Sequence, residues 1–105
     1  MSIFDFIQEE RSLEEIPLEE AVEIISRDTG IKFAWNTFFG EYRGKVGPWT
    51  VELHYGRFSP GVPKYGGQKF ISTHIEDSGH CGAGSPCISI EEAVSFIDRH
   101  TRREE

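Results

Sequence analysis

Cysteine is scarce in this chain: two residues among 105, too few to build a disulfide scaffold. Long apolar runs are missing as well. No stretch approaches the roughly 18 apolar residues of a membrane-spanning helix, and no basic region precedes an apolar one at the N-terminus, so neither insertion nor secretion is expected. A cytoplasmic location follows by default, where the two cysteines are expected as thiols or ligands rather than a bridge. Complete cofactor fingerprints are absent too. Gly79, Gly82 and Gly84 stand before a helix start, as in anion-binding loops, but the Lys and Ser/Thr of a phosphate loop are missing and Glu91 and Glu92 would repel phosphate. No cofactor is expected.

Positive charge is also in short supply, and its distribution matters more than the net −7. Residues 1 to 30 hold nine acids against Arg11 and Arg27, which accounts for the whole excess. From Ile31 to Ile88 six bases face four acids, and ten of the thirteen aromatics fall there. The chain therefore divides into acidic helical parts and a mildly basic, aromatic middle, which would give one molecule two unlike surfaces.

The helical parts have clear signals. Pro17 suits a helix start because it lacks an N–H, and Leu18, Ala21, Val22 and Ile25 fall at i, i+3, i+4 and i+7 before a stop at Gly30. Ser89 and Glu92 form a capping box, and Ile90, Ala93, Val94 and Ile97 repeat the stripe, widened by Phe96. Segments 18–29 and 90–101 share Glu-Glu-Ala-Val; with no strand pattern repeating alongside, this reads as two solutions to one packing problem rather than a duplication. A short helix is expected over Ser2 to Glu10, dependent on docking, and another turn from Ser12 to Glu15.

Strand patterns lie between. Ile31 to Phe39 alternates, Tyr42 to Val46 is weakened by Gly44, and Trp49 to Tyr55 sets Trp49, Val51, Leu53 and Tyr55 against Thr50, Glu52 and His54. Lys69 to Glu76 puts Ile71, Thr73 and Ile75 inward and Ser72, His74 and Glu76 outward. Gly56 to Gln68, with two prolines and four glycines, is a long connection and a candidate contact surface. Pro86 marks Ser78 to Ile88 as a surface loop. The expectation is a single domain over 1–105. It is an α+β two-layer sandwich, a three- to four-stranded antiparallel sheet with helices on one face, in the order α-α-β-β-β-(β)-α.

Three functional readings follow. Glu15, Glu19 and Glu23 recur at four-residue spacing and form an acidic stripe away from the core. Such a face suits a basic protein partner, as in inhibitors, immunity proteins or antagonists that offer carboxylates in place of phosphates; otherwise it merely aids solubility. A second reading takes His74, His80, Cys81 and Cys87 as a metal site, or Cys81 or Cys87 as a nucleophile with His54, His74 or His80 as base. Adjacent His80 and Cys81 do not match zinc spacing, so a zinc-free protein is expected. The third reading places a partner or single-stranded nucleic acid on the open sheet face and loop through His54, Arg57, Lys64, Tyr65 and His74. Net acidity opposes nucleic acid. A non-enzymatic module binding a basic protein is the reading carried forward.

Overall fold

Ser12 caps a 3-10 turn, Leu13–Glu15, its hydroxyl accepting from Glu14 N–H at 3.0 Å. This computed structural model describes residues 12–77 and 80–101, with only the backbone of His80 and Cys81; the helix expected over Ser2 to Glu10 lies outside the described residues. Pro17 sits just before helix α1, Leu18–Thr29, rather than inside its first turn, and its carbonyl accepts from Ala21 N–H. Gly30 ends α1 in the left-handed region at φ 78°, a geometry without penalty for glycine. Ser26 and Thr29 then tie the exit, Ser26 donating to Ile31 O at 2.6 Å and Thr29 to Ile25 O at 2.7 Å.

Five strands follow: β1 Phe33–Asn36, β2 Glu41–Val46, β3 Trp49–Arg57, β4 Lys69–Asp77 and β5 His80–Cys87. They form one antiparallel meander in chain order. Helix α2, Ile90–Thr101, closes the fold. Ser89 Oγ accepts from Glu92 N–H at 3.1 Å, and Glu92 reaches back to Ile88 N–H at 3.0 Å, one residue earlier than the usual reciprocal partner. The class is α+β with a sheet wider than the expected three or four strands.

The extra strand corrects the reading of Ser78 to Ile88 as a surface loop. Proline is tolerated on an edge strand, where one row of backbone donors has no neighbour to serve, and β5 is such an edge. Gly82 matters equally: a Cβ built on it would run into the backbone carbonyl of Ile75, beside a register shift between Ile75 and Asp77. Only glycine allows that approach of β5 to β4.

Alternation sorts the sheet as expected. Val51, Leu53, Ile71, Thr73 and Ile75 are buried on the inner face beneath the helices, with Cys87 in register beside Ile71. Helix α1 contributes Ala21, Val22 and Ile25 to this core. Helix α2 contributes Ala93, Phe96 and Ile97, while Val94, expected in the buried stripe, is only partly covered because α2 turns its large Phe96 ring inward. The helices pack on each other, α1 mainly over β3 and α2 over β4 and β5. The loop after β3 is internally bonded: Phe58 and Gln68 pair at 3.0 Å, as do Gly67 and Phe58, and Phe58 stacks on Tyr65 with centroids 5.5 Å apart.

Candidate functional site

Helix periodicity decides where the acids of α1 go. With Ala21, Val22 and Ile25 buried, Glu19 and Glu23 fall on the opposite, exposed side, and Glu15 is exposed in the preceding 3-10 turn. The field of Glu20 and Glu19 reaches the sheet. Tyr55, whose hydroxyl donates to Ile16 O at 2.7 Å, has its phenol pushed up to about 12, chiefly by burial and then by Glu20 and Glu19.

A second feature was not singled out from the sequence. Asn36 accepts from Phe39 N–H through Oδ1 at 2.9 Å and from Gly40 N–H through its carbonyl at 2.8 Å, locking the turn between β1 and β2. That turn thrusts Phe38 and Phe39 outward, 86% and 57% exposed, their rings edge to face at 4.8 Å. Trp35 is 49% exposed beside Tyr42. Trp35 is in register with Tyr42, and Tyr42 with Leu53, so Trp35 shares the face of the sheet that carries the helices. Because α1 and α2 lie mainly over β3 to β5, the β1–β2 end forms an aromatic ledge beside them. Phe38-Phe39 just before a glycine was the available signal, since turns rarely spend two phenylalanines; read as the end of an alternating strand, the pair was hidden.

The outer face carries a charged row. Arg43, Glu52, His74 and Gly84 are in register across β2, β3, β4 and β5. Arg43 pairs with Glu52 Oε2 and, at 3.1 Å, with Glu41; Glu52 first, then Glu41, holds its guanidinium above its ordinary range. His74 Nδ1 lies 3.2 Å from Glu52 Oε1 and 3.9 Å from Glu76 Oε1.

The residues of the second reading are not all brought together. His74 points outward, whereas Cys87 is buried on the inner face, 2% exposed. Burial pushes the Cys87 thiol up, the opposite of what a nucleophile requires. His80 and Cys81 belong to β5, and their side chains lie outside the described residues. The third reading divides similarly. His54 and His74 sit on the outer face, but Arg57 turns to the helix side and grips Glu14 with two bonds of 2.7 and 2.8 Å and Gly67 O with a third at 3.0 Å. Lys64 and Tyr65 lie in the loop, the ammonium 5.3 Å from the ring centroid. Glu41, Glu52 and Glu76 lie among the outer-face side chains, an unfavourable lining for phosphate.

Among the described residues no helix is long and apolar enough to cross a membrane. Searches of protein-family models, curated proteins and solved structures return no match for this chain.

Proposed function

We propose that the protein is a non-enzymatic binding module that acts by contact with a basic protein partner. The aromatic ledge Trp35, Phe38 and Phe39 anchors the partner, and the acidic face bearing Glu15, Glu19 and Glu23 steers it. Exposure of those three large rings on one hairpin carries the reading, because exposed apolar clusters on small domains mark contact sites and aromatic residues dominate binding energy. Carboxylates alone would serve solubility equally well. Together they suit an inhibitor or antagonist whose acids replace phosphates in a basic groove while rings fill an apolar pocket.

The test uses the full chain as immobilised bait in source-cell lysate, with mass spectrometry of what is retained. The expected catch is one basic protein, released as salt rises, since exposed charges are screened over about 8 Å at physiological ionic strength. Reversing Glu15, Glu19 and Glu23 to lysine, or changing Phe38 and Phe39 to serine, should abolish capture while melting stays within a few degrees of wild type. Capture that survives both variants but disappears when Arg57, Lys64 and Tyr65 are changed would move the working surface to the loop and overturn the proposal.

A further inference from the structure

The outer face, opposite the helices, offers a site independent of the binding surface just proposed. We infer that Glu52, His74 and Glu76 form a binding site for a divalent transition-metal ion of the zinc class. One ligand atom from each lies within 4.8 Å of the others. The His74 Nδ1 separations, 3.2 Å to Glu52 and 3.9 Å to Glu76, bracket the roughly 3.4 Å edge of a tetrahedron with metal–ligand bonds of about 2.1 Å. Glu76 is partly exposed and can rotate to close the set, leaving a fourth position for water.

Three observations favour an ion here. Glu52 is the least mobile ligand, its side chain 12% exposed and its Oε2 taken by Arg43, so that Oε1 alone is directed at His74. Fixing a ligand carboxylate through an outer hydrogen-bond partner raises affinity. With His74 neutral, Glu41, Glu52 and Glu76 against Arg43 and Lys45, which shares the cross-strand row of Glu76, leave one net negative charge around the imidazole, which favours a cation. Gly84 stands in register beside His74 with no side chain, and a Cβ there would come within 3.3 Å of the ring. One imidazole among carboxylates selects zinc, cobalt or nickel over magnesium or calcium.

Metal-stripped protein is titrated with Zn²⁺ in a calorimeter at neutral pH, with Mg²⁺ as a control and Co²⁺ for its visible spectrum. The expected result is one Zn²⁺ per chain, no Mg²⁺ heat, and affinity reduced at least about tenfold by His74→Ala and by Glu76→Gln, with far-ultraviolet circular dichroism unchanged. His54→Ala and Cys81→Ser should bind as wild type does, and the Co²⁺ form should show no thiolate charge-transfer band. Absence of stoichiometric binding, binding that survives both ligand variants, or a thiolate band lost in Cys81→Ser would each overturn the assignment.

Discussion

Replacing Gly82 with alanine tests the least expected part of this fold, the pairing of β5 with β4. The new Cβ would be driven into the Ile75 carbonyl, with Glu76 Cα a further 2.8 Å neighbour. Both obstacles are backbone, so no side chain can swing aside; either the bulge opens or β5 retreats. Overpacking of this kind costs about 1–3 kcal/mol. For a domain of this size that lowers the melting temperature by roughly 4–24 °C, taking ~4–8 °C per kcal/mol. Gly84→Ala is the matched control: its Cβ would approach only the His74 ring, at 3.3 Å, and that half-exposed ring can turn, so the change should stay within about 0.5 kcal/mol. Thermal melts of both variants, with amide exchange followed over residues 83–87, provide the readout. Equal melting temperatures in the two variants, with amides over residues 83–87 unprotected even in the wild type, would show that the segment is the loop its composition suggested.

Ile97→Ala, at a site with no exposure, should cost about 2–5 kcal/mol in a denaturant melt, whereas Val94→Ala, at the edge of the core, should cost about 1; the reverse order would mean α2 is rotated from the position described. Arg57 holds the Glu14 carboxyl below its ordinary 4.5. The pair therefore stabilises the fold above that value and the contribution fades as pH falls through the lower folded-state value, so Glu14→Gln should flatten the melting temperature between pH 6 and 3; an unchanged acid slope contradicts the pairing. In a Cys81→Ser background, Cys87 should resist a thiol reagent at pH 8 until denaturant is added, given its burial and raised thiol pKa; rapid native-state labelling would place it at the surface.

Local chemistry in the chain determined the two long helices and the faces of β3 and β4. Ser89 with Glu92, Gly30, and apolar residues at i, i+3, i+4 and i+7 act within one or two turns, so they read correctly without knowledge of neighbours. The exposure of Glu19 and Glu23 on α1 was legible for the same reason, whereas Glu15, exposed too, lies in the separate 3-10 turn, where helical spacing does not place it. What only the tertiary structure decided depended on partners distant in sequence. A glycine- and proline-containing segment becomes a strand when β4 offers it carbonyls and amides, which no local propensity reports. His74 and Cys87 are close in sequence but fall on opposite faces, because the register across β4 and β5 sets Cys87 beside Ile71 and Gly84 beside His74. Arg57 looks available for a ligand until Glu14, 43 residues away, occupies it. Among the described residues the aromatic ledge exists because the five strands are wider than the two helices cover, and that mismatch is a property of assembled layers, set by packing rather than by any stretch of the chain.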